Sequence, residues 1–179
     1  LPEGSARNVA KVISALVGSM VSTVLALGGL RLLQVHREAG KPIALGIPVW
    51  VADLAFPLAF GLIALRLVWQ ASPKMSVRAL AALGIVAGVW ISRNPALLDG
   101  APAWPGIAVL ILAALLGMPI FALLGGAAVF LFLAQGDSPA NAIIGSYDQL
   151  TSSDLPALPL FTLAGFLLAE GHASDRLLR

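Results

Sequence analysis

Apolar residues along this chain come in long blocks separated by short polar punctuation. The longest block, residues 106–134, has no charged, hydroxylated or amide side chain, and the nearest charges are Asp99 before it and Asp137 after it. As one helix it would reach on the order of 40 Å at ~1.5 Å per residue, more than the ~30 Å of a bilayer core. A helix apolar on every face belongs in lipid or in the core of a large protein. Inside the block, Gly117-Met118-Pro119 predicts a kink or a break, because Pro119 has no N–H to donate and crowds the carbonyl four residues back.

The other blocks read as helices too. Residues 12–33 are flanked by Arg7 and Lys11 on one side and by Arg31, His36, Arg37 and Lys41 around the other. Ser14, Gly18 and Ser22 recur at helical spacing, as do Ala15, Ser19 and Thr23, which places a ridge of small side chains on one face. In lipid such ridges let helices approach closely, so a packing face is the plainer reading and a solute path the sharper one. The basic-then-apolar opening superficially resembles a signal peptide, but its apolar part is too long and no clean cleavage site follows.

A second block, residues 43–69, holds Pro48, Asp53 and Pro57. Gly46-Ile47-Pro48 looks like a helix start. Asp53 then lies about 8 Å along the axis, near an N-terminus and the headgroups, where a carboxylate is tolerated. An interfacial or helix-pairing role is one reading of Asp53, and a coupled-ion or proton site is the other. Trp50 and Trp69 suit the two interfaces. A third block, residues 75–91, carries Gly84 and Gly88 at close-packing spacing, with Arg78 and Arg93 placed to snorkel.

Residues 94–105, with Pro95, Gly100, Pro102 and Pro105, form the clearest linker. Residues 135–154 lack Lys and Arg but hold Asp137, Asp148 and Asp154, and residues 141–150 suit a short interfacial helix. Ser152-Ser153-Asp154 just ahead of Pro156 predicts a helix start. The following apolar run of about 15 residues is short for a span, hence a half-helix, a re-entrant piece, or a span that borrows preceding residues.

Composition agrees with lipid as the solvent. Hydrophobic residues make up 59% of the 179 and charged residues 11%, well below the ~25% usual in soluble domains. The expected fold is an all-α polytopic transmembrane helical bundle of about four spanning helices plus a short or broken apolar segment. Leu1 is not an initiator and Arg179 closely follows an apolar run, so the bundle reads as a fragment of a larger membrane protein. The net charge of +2 is too small for a nucleic-acid surface, and the absence of cysteine removes disulfides and thiolate metal sites. No Walker loop, HExxH or GxSxG occurs, and no catalytic set or cofactor site can be assembled. His36 and His172 lie far apart in sequence with no obvious acidic or metal-ligand neighbourhood and read as interfacial histidines. Alternate loops carry five basic residues on one side and four on the other, which leaves sidedness weakly marked; the basic loop from Arg66 to Arg78 favours the cytoplasm.

Two motifs carry a resemblance. Leu45-Gly46-Ile47-Pro48-Val49-Trp50, followed by Phe56-Pro57-Leu58-Ala59-Phe60-Gly61, resembles the last helix of the small membrane subunit of tripartite ATP-independent periplasmic (TRAP) transporters. Leu115-Leu116-Gly117-Met118-Pro119-Ile120-Phe121, then Leu155-Pro156-Ala157-Leu158-Pro159-Leu160-Phe161, resembles the beginning of the large membrane subunit. Their order is that of the fused form, in which an extra helix joins the halves; residues 75–91 fit that helix.

The resemblance implies three parts: residues 1–72 as C-terminal helices of the small subunit, 73–105 as connecting helix and linker, and 106–179 as the N-terminal part of the large subunit. It further implies a multi-pass protein of the bacterial inner membrane and sodium-coupled uptake of small organic acids of the dicarboxylate or sialic acid type. A periplasmic solute-binding protein would deliver the acid, and the remainder of the large subunit and the lipid bilayer are the other partners. The family's sodium and substrate ligands lie beyond Arg179. Moving parts are expected to begin around Ser152, Ser153, Asp154, Pro156 and Pro159, with Gly117 and Pro119 marking a helix break. The alternative is a non-transporting membrane anchor or assembly subunit of a multi-protein complex. An intramembrane enzyme would need a base or metal set that these residues lack.

Overall fold

A computed structural model describes residues 5–40, 42, 46–71, 75–94, 96, 102–152 and 154–170, and among these every regular element is a helix. In chain order they are α1 (Ser5–Ala39), α2 (Val49–Asp53), α3 (Ala55–Gln70), α4 (Met75–Arg93), α5 (Trp104–Leu115), α6 (Ile120–Ala134), α7 (Asn141–Leu150) and α8 (Asp154–Glu170). Two compact units divide them, residues 1–144 and 145–179. Among the described residues three stretches are long and apolar enough to cross a membrane: Val9–Ala39, Val49–Ala71 and Asn141–Glu170. Half of the linker, including Pro95 and Gly100, lies outside the described residues, as do Lys41, Leu45, Lys74, Ser153 and His172.

In the first unit α1 is the axis, and α3, α4, α5 and α6 all pack on it. Of the ridge foreseen on α1, Ser19 and Thr23 lie in the seam with α4, whereas Gly18 faces Leu67 of α3. Ser19 and Ser22 are fully buried and Thr23 nearly so. The Ser19 hydroxyl lies 3.2 Å from the Ala81 carbonyl of α4 and 3.0 Å from the Leu16 carbonyl of its own helix. A methyl group added at Gly84 would fall on the Leu16 carbonyl and the Ser19 hydroxyl, and one at Gly88 on the Met20 carbonyl and Thr23. Backbones therefore touch where only glycine leaves room, the device by which helices associate without a hydrophobic driving force. Along α1 the contacts advance with those along α4, Leu16 and Ser19 to Gly84, then Met20 and Thr23 to Gly88, so the two helices run parallel.

Down the other side of α1, Gly29 faces Phe56 and Pro57 whereas Gly18 faces Leu67, so α3 runs antiparallel to it. The α2–α3 pair is one rod interrupted at Leu54. Pro57 has no N–H to give the Asp53 carbonyl four residues earlier, and the ladder fails there.

The long apolar block does not run as one helix. It stops at Leu115 and restarts at Ile120, and the chain reverses: Gly106 lies under the Phe130 ring, and Gly126 under Leu110. Both pairs are centred on residue 118, which makes α5 and α6 an antiparallel hairpin. Its tip is a Schellman closure, with Gly117 at φ +103°, Gly117 N–H donating to the Ala114 carbonyl at 2.9 Å and Met118 N–H to Ala113 at 2.9 Å. Pro119, at ψ 141°, then opens α6.

Twenty residues separate Lys11 from Arg31 on α1, about 30 Å of helix and the thickness of a bilayer core. Met118 at the hairpin tip packs near Gly18, towards the Lys11 end, whereas Arg31 Nη1 donates to Ser138 Oγ at 2.6 Å just beyond α6. The hairpin thus leaves and returns to the Arg31 end.

In the second unit α8 is a different object. It is apolar around its circumference, has Pro159 inside it, and has no buried residue. Such a helix needs lipid or further protein around it.

Candidate functional site

Among the described residues of the first unit, charged side chains gather at the two ends of the α1 bundle. At the Arg31 end, α1 closes with Gly40 in the left-handed region, φ +61°, its N–H donating to the His36 carbonyl at 3.2 Å. The chain turns back and enters α2 at Val49, which sets Asp53 opposite His36. The imidazole Nδ1 and the carboxylate Oδ2 are 2.6 Å apart. Asp53 is 1% exposed and the His36 side chain 23%. Against an ionised carboxylate, which only accepts, Nδ1–H is the donor. The second oxygen, Oδ1, is buried without a hydrogen-bond partner among the described residues.

His36 is therefore not the plain interfacial histidine expected from its sequence surroundings, because an acid seventeen positions later is folded onto it. The pairing depends on the path of the chain between α1 and α2, which no local feature of the sequence announces. By rise along α1 the pair lies about 8 Å beyond Arg31, towards the headgroups. It pins α2 to α1.

Beside it, Arg31 makes a second fastening. Nη1 reaches Ser138 Oγ, and Nη2 lies 3.4 Å from the Ser92 carbonyl, so one guanidinium joins α1, the end of α4 and the segment after α6. Nothing local in sequence pointed to this bridge, which joins residues 107 positions apart.

At the Lys11 end the hairpin tip borders a cavity of about 350 Å³ lined by Lys11, Ser14, Gln70, Gly117 and Pro119 among others. Ser14 turns its hydroxyl back to the Lys11 carbonyl at 3.1 Å, so it serves its own helix.

The segment expected to begin the moving parts is in the second unit. Ser152 Oγ donates to the Gln149 carbonyl at 2.8 Å and Thr151 Oγ1 to the Tyr147 carbonyl at 2.9 Å. Ser152 thus closes α7 instead of opening α8, and Asp154 is the first residue of α8. Ser153 lies outside the described residues. Pro156 sits in the first turn of α8, where its missing N–H costs nothing, and Pro159 sits where the Leu155 carbonyl loses its donor.

Among the described residues no group of three His, Cys, Asp or Glu could hold a metal ion. Among the described residues the arrangement pairs helices.

Comparison with known proteins fits that picture. No family model matches the chain, and no solved structure matches it. One curated protein, the isethionate TRAP transporter permease protein DctMQ of Oleidesulfovibrio alaskensis, is 30% identical over 143 residues, covering 75% of this chain. This chain is related to the fused TRAP transporter permeases. It spans 22% of the length of that relative. With several apolar spans and this likeness, it is a multi-pass protein of the inner membrane. The hairpin and the α1–α4 seam are parts of a membrane helix bundle, and the polar contacts at its two ends are fastenings of that bundle.

Proposed function

We propose that this chain is the junction region of a fused TRAP membrane component, in which residues 1–72 end the small-subunit part, 73–105 connect, and 106–179 begin the large-subunit part. The complete protein takes up small organic anions by coupling to a sodium gradient, after a periplasmic binding protein hands them over. The observation that carries this reading is the 30% identity to a fused permease over three-quarters of the chain. The packing of α4 into the small-residue ridge of α1 supports it, since a connecting helix that joins two halves needs its own seat on one of them.

In this reading residues 5–144 are scaffold. Movement begins after the scaffold, where Ser152, Ser153 and Asp154 precede Pro156 and Pro159, and the Gly117–Pro119 break lets the hairpin tip adjust without unfolding α5 or α6. Asp53 belongs to the scaffold through His36. The relative's isethionate, a small sulfonate anion, belongs among the substrates to be tried with dicarboxylates and sialic acid.

The test is uptake by the full-length polypeptide in liposomes with candidate binding proteins. Labelled anion should accumulate only with an inward sodium gradient and a cognate binding protein. Accumulation indifferent to both would overturn the reading.

A further inference from the structure

Neither arm of the α5–α6 hairpin is long enough to cross a bilayer. With 12 and 15 residues the two helices rise about 18 and 22 Å, against ~30 Å for the hydrocarbon core. Both arms have their far ends at the Arg31 end, so the turn between them stops short of the opposite headgroups. Its depth can be read on α1. Met118 packs near Gly18, and Gly117 and Pro119 border the same cavity as Lys11, Ser14 and Ala15. Residues 14–18 lie three to seven positions inside Lys11, which places the turn about 5–10 Å inside the level of that charge.

A turn at that depth leaves backbone groups that a continuous helix would have paired. The Gly117 and Met118 N–H groups are used, on the Ala114 and Ala113 carbonyls. The Leu115 carbonyl would look to residue 119, and Pro119 has no N–H to give. In α6 the Ala122 N–H donates to the Pro119 carbonyl at 3.0 Å, while Ile120 and Phe121 precede the first intrahelical bond and no side chain caps the helix. Hydrocarbon offers such groups nothing, and non-helical backbone at membrane depth persists only where protein buries it or water reaches it.

The cavity decides between those two. At about 350 Å³ it has room for on the order of ten waters, and its wall carries Lys11, Ser14 and Gln70 beside Leu67, Gly117 and Pro119. Cavities that stay dry are lined by carbon alone. Charge adds a sign. The described acids of the first unit, Glu38, Asp53 and Asp137, all lie towards the Arg31 end, so no described carboxylate of that unit offsets Lys11 at this mouth.

We propose that this cavity is an aqueous vestibule, open at the Lys11 end of the bundle, through which water and small anions reach the tip of a re-entrant hairpin. The proposal needs only the membrane-embedded fold and stands whether or not the complete protein transports anything.

The full-length polypeptide is reconstituted into liposomes with single cysteines in an otherwise cysteine-free background; residues 1–179 contain none of their own. Two membrane-impermeant methanethiosulfonates, the anionic ethylsulfonate and the cationic ethyltrimethylammonium, are supplied on both faces by freeze–thaw, so orientation does not matter. Ser14→Cys and Pro119→Cys should both react, with the anionic reagent favoured roughly fivefold at low salt once rates are normalised to free cysteine. Lys11→Glu should reverse that preference at Ser14→Cys without stopping the reaction. Leu112→Cys and Leu124→Cys, at exposed positions on the two arms, should stay unreactive. Ser14→Cys is nearly isosteric and carries the test if Pro119→Cys does not fold. Silence at Ser14→Cys in folded protein would overturn the vestibule, since protein or lipid would then fill the cavity. So would reaction at Leu124→Cys as fast as at Ser14→Cys, because the hairpin would then be wet on every side. Equal normalised rates for the two reagents, unmoved by Lys11→Glu, would overturn the preference for anions.

Discussion

The windows of α1 and of the α2–α3 rod have the same mean hydropathy, yet 67% of one is buried against protein and 11% of the other. Hydropathy says only that both prefer lipid to water. What separates them is side-chain size: α1 turns Ser19, Ser22, Thr23 and Gly18 inward and lets neighbouring backbones approach, whereas α3 turns Leu58, Leu62 and Leu65 outward. In a bilayer a leucine gains little by moving from lipid to protein, so small residues decide which helix becomes the axis.

The sharpest way to break that contrast is at the α1–α4 seam. Gly84→Leu places a side chain on a backbone carbonyl that cannot step aside, and overpacking of this kind costs about 3 kcal/mol or more. The variant should be lost from the monodisperse peak on size exclusion in detergent, and Gly84→Ala should show a lowered melting temperature. A Gly84→Ala protein that melts with the wild type would mean the two helices do not touch there.

Next in size is the fastening at the other end of α1. His36→Ala leaves the Asp53 carboxylate buried with neither oxygen bonded, at a cost of about 2 kcal/mol or more. The double variant H36A/D53A should recover part of the loss, because an absent charge needs no partner. A cycle of melting temperatures in which the two single effects simply add would show that the pair is not coupled.

The blocks of the chain were legible because lipid imposes length and apolarity on every spanning helix. The small-residue ridge and the Gly84/Gly88 spacing were legible for the same kind of reason, since local repeats encode which face is thin. The break at Gly117 and Pro119 could be read as an interruption, but the reversal could not. A glycine followed by proline stops a helix; whether the chain then continues or folds back depends on what Gly106 and Phe130 find across the gap. Asp53 stood out as an acid among apolar residues, while its partner His36 and the Arg31 bridge to Ser138 depend on the path of intervening turns. The family resemblance carried by the two motifs agrees with the relative found over 75% of the chain.

A smaller effect is expected at the tip itself. Gly117 at φ +103° has open space around it, so a methyl meets no clash and the cost of Gly117→Ala is backbone strain alone, about 1–2 kcal/mol. Gly117→Asn should cost less, because asparagine tolerates positive φ better than alanine. Equal melting temperatures for the alanine and asparagine variants would argue against the left-handed closure.

The smallest effect should have the opposite sign. Gly61 lies in the middle of α3 with nothing within 4 Å of where a methyl would stand, on the outward side of the helix. Alanine there removes backbone freedom from the unfolded chain and meets no neighbour, a gain of up to about 1 kcal/mol. Gly61→Ala should therefore melt at or slightly above the wild type, in the same detergent in which Gly84→Ala melts below it. Two glycines in adjacent helices of one bundle would then respond in opposite directions to one added methyl group, for no reason other than which of them faces a backbone. A fall in melting temperature at Gly61 would place another helix against the outer side of α3 and remove the distinction between a buried axis and a lipid-facing rod.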